Sequence, residues 1–166
     1  MSDGIPVPRT PVPGWTDGLP YTLYRANQAV HRLVAEAIDG MDVSITQLAL
    51  VVHLDELGHL SASDLARRFR LTPQSVSTAL GRLEALGWVT RLPHPVHRKV
   101  IWYEVTESGV AQAAEGRQRL VALQARLEDM FGPAFVTDTI ADLQRITTEI
   151  DGPEPAAEPL WPVPER

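Results

Sequence analysis

The sequence predicts a mainly helical fold carrying one small β hairpin (α+β). Three observations carry this. Apolar residues recur at helical spacing over long stretches at both flanks. Ser or Thr stands where a helix N-cap is needed at Ser44, Ser61, Thr72 and Thr106. Only two short runs, 88–92 and 100–105, are rich in β-branched and aromatic residues.

From Tyr21 to Met41 the apolar residues Leu23, Val30, Leu33, Val34, Ala37, Ile38 and Met41 predict a first helix. Ser44, with Gln47 as capping-box partner, opens a second. Its run Ile45–Leu54 is apolar nearly all round, so it should be buried on most sides, and Gly58 ends it. Ser61 caps a short third helix with Asp64 at its third position; Leu65, Ala66 and Phe69 should face inward. Arg70 and Leu71 make a turn. Thr72 at N-cap and Pro73 at the first helical position open a fourth helix, which runs to Leu86 before Gly87. The two strand runs follow, joined by the proline-rich tip 93–99. Thr106 caps a long helix to about Met130, and Pro133 opens the last, with Val136, Ile140, Leu143, Ile146 and Ile150 apolar. These flanking helices carry more apolar surface than a small core requires, so a second copy of the chain is a natural partner.

Composition narrows the function. The chain has 166 residues, 44% hydrophobic and 22% charged, enough for one packed domain with appended elements. With no cysteine, disulfides, thiolate metal sites and thiol chemistry are excluded. No run of about 18 apolar residues predicts a membrane span. The start MSDGIPVPRT lacks a basic and apolar signal pattern, so a cytoplasmic protein is the expectation. Prolines crowd residues 1–20 and 151–166; these are read as disordered tails, or as extended segments packing on the body through Trp15 and Trp161. The net charge is −6, yet residues 61–103 hold seven basic residues against Asp64 and Glu84. That +5 island in a −11 remainder suits one face turned to a polyanion.

Short helix, tight turn, capped helix and β hairpin in succession make a helix-turn-helix with a wing. A recognition helix needs an apolar inner face and a small polar outer face to approach base edges. Placed on a helical wheel, Val76, Ala79, Leu80 and Leu83 share one face. Gln74, Ser77, Thr78, Gly81, Arg82 and Ala85 lie opposite, with Ser75 at the margin. Gln74 suits adenine, and Arg82 suits guanine or phosphate. The candidate DNA-facing set is Ser61, Ser63, Thr72, Gln74, Ser75, Ser77, Thr78, Arg82, Arg91, His97, Arg98 and Lys99. The reading from another class is a winged helix used for protein contact without DNA.

Residues 45–110 resemble the MarR family of bacterial transcription regulators. The resemblance rests on Ser63–Ala66 with Thr72–Ser77, on Leu83-Glu84-Ala85-Leu86-Gly87-Trp88-Val89-Thr90-Arg91, and on Val105-Thr106-Glu107-Ser108-Gly109. In layout it extends over residues 21–150. It implies a homodimer with a dimerisation helix at 21–43, the winged unit at 44–105 and dimerisation helices at 106–150. Two such units would sit on successive major grooves of a pseudo-palindrome, with half-sites about 10 base pairs apart. It further implies a repressor, nucleoid-associated, released by a small aromatic or phenolic effector. That effector's pocket would lie between the dimer helices and the winged unit. Arg25, His31 and His53 are candidates to line it, or else these histidines are satisfied core or interface groups.

The wing departs from the family's usual Asp-Arg-Arg: here stand His97, Arg98 and Lys99. With the acid absent, wing contacts should go mainly to phosphate. Protonation of His97 should raise DNA affinity as pH falls, and flat binding from pH 6 to pH 8 is the result that would overturn this. His94 with His97, and His53 with His59, lack helix-borne metal-ligand spacing and are read as surface or core groups. No G-x-S-x-G, phosphate-binding glycine loop or zinc motif occurs, so neither enzyme nor cofactor is expected.

Overall fold

A computed structural model describes residues 14–153; Trp161 and most of both proline-rich ends lie outside them. One turn of 3-10 helix, Trp15–Asp17, precedes helix α1, Leu19–Ala37. Pro20, read above as part of the extension, instead sits in the first turn of α1. A proline is tolerated there because that N–H has no helical partner anyway. Trp15 stays 73% exposed, its ring 6.0 Å from Tyr21.

Helices α2 (Ile45–Leu57), α3 (Ala62–Phe69) and α4 (Pro73–Ala85) follow. The expected caps form. Ser44 Oγ accepts Gln47 N–H at 3.2 Å while Gln47 Oε1 accepts Ser44 N–H at 2.8 Å. Thr72 Oγ1 accepts Ser75 N–H at 3.1 Å. Arg70 takes the left-handed backbone (φ 50) that turns α3 into α4.

The hairpin forms with strands β2 (Val89–Pro93) and β3 (Ile101–Val105), each displaced slightly from its sequence reading. A third strand, β1 (Leu60–Ser61), was not foreseen; it pairs antiparallel with β3, giving the order β1-β3-β2. Two residues are too few to show an alternation. They are strand only because Tyr103 and Trp102 lie opposite them. Helices α5 (Glu107–Phe131) and α6 (Pro133–Asp151) complete the chain.

The core joins α2 to the winged unit. Leu48, Leu50, Val51, Leu65, Val76, Leu80, Leu83 and Ala113 have no exposed surface. Two glycines let backbones meet there. A Cβ on Gly109 would lie 2.0 Å from the Trp88 carbonyl oxygen, and one on Gly116 would lie 2.4 Å from a Leu48 methyl. The same Trp88 oxygen accepts Thr106 N–H at 2.9 Å, and Thr106 Oγ1 donates to Gly87 O at 2.6 Å. The start of α5 is thereby pinned to the turn between α4 and β2.

Candidate nucleic-acid interface

Helix α4 is anchored by its inner face: Val76, Leu80 and Leu83 are fully buried. Its opposite face is open, with Gln74, Ser75, Ser77, Thr78 and Arg82 all exposed. Two of its hydroxyls have local duties. Thr78 Oγ1 donates to Gln74 O at 3.0 Å, and Ser75 Oγ lies 2.8 Å from Thr72 Oγ1. Both remain at the surface, as do Thr72 and Ser63. The face therefore presents one amide, short hydroxyls and one guanidinium, with no bulky group between them and an approaching surface.

Ser61 corrects the sequence reading. It is only 5% exposed, and its Oγ accepts Asp64 N–H at 3.1 Å and donates to Asp64 Oδ2. It is a buried cap behind the interface. The sequence signal that gave the cap was right, but a capping hydroxyl inside a sheet edge has no free direction.

Arg82 on α4 and Arg91 on β2 are held by partners that sequence reasoning missed. Arg82 pairs with Asp42 in the α1–α2 loop, where Asp42 adopts a positive φ of 56°. Arg91 pairs with Glu84 at 2.9 Å and lies 5.7 Å from the Tyr103 ring centre. These pairs orient both guanidinium groups and tie α4 to its neighbours. Arg91 and Glu84 belong to the run 83–91 quoted above. In the same run Leu83 fills the core, Gly87 takes φ +75 to end the helix, and Val89 is 2% exposed.

At the wing, His97, Arg98 and Lys99 are exposed as expected. His94, read above as a surface or core group, is the latter at 2% exposed. Its ring packs 4.2 Å from Trp102, whose other neighbour is His59 at 5.5 Å. His59 Nε2 in turn lies 2.8 Å from Glu104 Oε2. Among the described residues no cluster of three or more His, Asp or Glu could hold a metal ion.

Arg25, His31 and His53 are not brought together. His31 lines a cavity of about 670 Å³ between the end of α1, the loop to α2 and α4, with Ile38, Asp42, Gln47 and Arg82. His53 donates from Nδ1 to Ala49 O at 2.9 Å and meets the Phe69 ring edge-on at 4.6 Å, making it a satisfied, half-buried group. Arg25 is exposed on α1. Arg25 and His31 share α1 while His53 lies on α2, and spacing along the chain does not tell which of them reach a common cavity.

Arg117 of α5 reaches Asp55 Oδ2 at 2.8 Å and Glu56 Oε1 at 3.2 Å on α2. The Asp55 hydrogen bond holds the Arg117 guanidinium above its ordinary range despite partial burial. Arg70 hydrogen-bonds the Asp151 carbonyl, bringing the end of α6 against the turn before α4.

Comparison with known proteins agrees with this architecture. Residues 41–99 match the model of the MarR family. An uncharacterized HTH-type transcriptional regulator of Mycobacterium leprae is 32% identical over 109 residues, 61% of this chain and 75% of that protein. One from Mycobacterium bovis is 34% identical over 83 residues; the match spans 48% of this chain and only 58% of that relative's length. A mutant MarR from E.coli complexed with operator DNA superposes with a TM-score of 0.69 at 21% identity, covering 80% of this chain and 92% of that one. BpsR of Bordetella bronchiseptica, whose DNA binding is regulated by 6-hydroxynicotinic acid, gives 0.73 at 18%, covering 81% and 96%. Both likenesses show the winged helix-turn-helix fold. With a helix-turn-helix that matches the family model and a relative of this identity and coverage, the chain belongs to the MarR family.

Proposed function

We propose that the protein is a transcriptional regulator that binds double-stranded DNA as a homodimer, with no catalytic role of its own. The observation that carries this is the two-sidedness of α4: Val76, Leu80 and Leu83 are fully buried while Gln74, Ser77, Thr78 and Arg82 face outward. Helix α4 enters the major groove, with Gln74 and Arg82 reading bases and the hydroxyls of Ser63, Thr72, Ser75, Ser77 and Thr78 serving bases or phosphates. Arg98 and Lys99 at the wing contact phosphate, and Arg91 fixes the wing's root on α4. The operator complex known for the E.coli MarR mutant supports this reading.

The second copy covers the apolar residues that α1, α5 and α6 leave outside. Leu19 (61%), Phe135 (58%), Leu143 (44%) and Ile150 (77%) are exposed far beyond what a monomer needs. A dimer of this kind places two α4 helices on one pseudo-palindromic operator and acts in the cytoplasm on the nucleoid. Repression is the mode favoured, since an HTH-type repressor of Mycobacterium tuberculosis is 28% identical over 116 residues. A small aromatic or phenolic effector would release it, and the cavity beside His31 and Arg82 is the place offered for that molecule.

The test is selection of bound genomic fragments, followed by binding to the selected site at graded salt. The expected result is one enriched motif with dyad symmetry and a linear fall of log affinity with log salt. No retarded band with any DNA at low salt would favour the protein-contact reading instead.

A further inference from the structure

The tip between β2 and β3 encloses an imidazole. His94 is 2% exposed although Pro95 to Lys99, which follow it, are exposed. Its Nδ1 accepts Val96 N–H at 3.1 Å and His97 N–H at 3.0 Å. Beneath it the backbone closes: His94 N–H donates to Val100 O at 3.1 Å, and Val100 N–H to His97 O at 2.8 Å. Its ring lies 4.2 Å from Trp102 and 4.9 Å from His97. An accepting Nδ1 bears no proton, so this ring is the neutral Nε2–H tautomer. A further proton can go only to Nδ1. There it converts the acceptor of both amides into a donor facing them.

We propose that His94 is the positioning residue of the wing. Neutral, it clasps the turn that projects His97, Arg98 and Lys99; protonated, it releases that turn. The proposal rests on the reading that this tip touches DNA. The charged and titratable groups around it are His97 against the ring, Arg98 and Lys99 further along the tip, and His59 with Glu104 beyond Trp102. Acidification thus acts twice at the wing. It adds an exposed charge at His97, worth about two- to fivefold toward a polyanion. It also removes two acceptor bonds at His94, worth up to roughly thirtyfold once the ring is fully protonated, and the same two bonds resist that proton. The two effects oppose each other, so the one at His94 is read where His97 has been replaced.

The experiment uses the full chain as wild type, His94→Asn and His97→Gln. Asn keeps an acceptor oxygen and does not titrate. Binding to the selected operator is measured from pH 8 to pH 5.5 at fixed ionic strength. Without DNA, hydrogen exchange of the Val96 and His97 amides and imidazole ¹⁵N shifts are followed over the same range. The expected result is a loss of affinity on acidification in His97→Gln that is absent in His94→Asn. Both amides should lose protection in parallel in the wild type. Affinity of His97→Gln that holds or rises as pH falls, a loss that persists in His94→Asn, or amides indifferent to pH each overturn the proposal. Amides that open on acidification in a chain that binds no DNA at any pH leave the clasp standing and sink the DNA reading.

Discussion

Gly109 is the residue at which one carbon atom decides the most. Its place against the Trp88 carbonyl oxygen has no room for a methyl group, because that oxygen is already fixed by the Thr106 amide. Gly109→Ala should destabilise the fold by about 3 kcal/mol, the upper range for overpacking a rigid contact. A thermal melt checks it; an unchanged midpoint would mean α5 can shift away. Arg82 presents the contrary case. Its pair with Asp42 is exposed on both sides, at 48% and 76%, so Arg82→Ala should change stability by less than about 0.5 kcal/mol. The same variant should bind the selected operator more weakly and with altered base preference, read by repeating the selection. Unaltered preference would remove Arg82 from base reading. At this scale the sequence disclosed which side chains lie on the outer face of α4, since helical periodicity alone sets that. It did not disclose that Asp42 and Glu84 hold Arg82 and Arg91, because those pairings depend on how a loop and a strand return to the helix.

An ion pair joins two of the helices that frame the reading head. The Arg117 bridge fastens α5 to α2, with side-chain exposures of 35% for Arg117 and 21% for Asp55. Because its guanidinium is held above the usual range, its contribution is present at neutral pH and is lost on the alkaline side only in strong alkali. Arg117→Ala should cost about 1 kcal/mol in a denaturant titration, discounted for solvent screening. An equal loss in Asp55→Ala, and no further loss in the double variant, would identify the pair as the cause. The wing is the second element with its own test. Arg98→Ala should weaken specific and non-specific DNA alike and reduce the salt slope by about one. A loss confined to the selected operator would instead mean that Arg98 reads sequence. The capped helices and both hairpin strands were legible from local chemistry, whereas β1 was not, because a two-residue strand exists only through its partner.

For the whole molecule, the unpaired apolar surface of α1, α5 and α6 sets the expectation. Leu143→Asp with Ile150→Asp should convert a dimer to monomer in sedimentation and abolish operator binding while leaving the winged unit folded. Dimers that survive both charges would place the interface elsewhere. By itself the sequence determined the order of helices, their caps, the wing and the face of α4 that must stay outside. Those properties follow from local periodicity and backbone hydrogen-bonding needs, which each segment carries with it. Only tertiary structure decided that Ser61 lies buried, that His94 sits inside the wing tip, and that Arg25, His31 and His53 stand apart. Such placements depend on how strands, turns and helices pack on one another, and a one-dimensional pattern contains no distances between them.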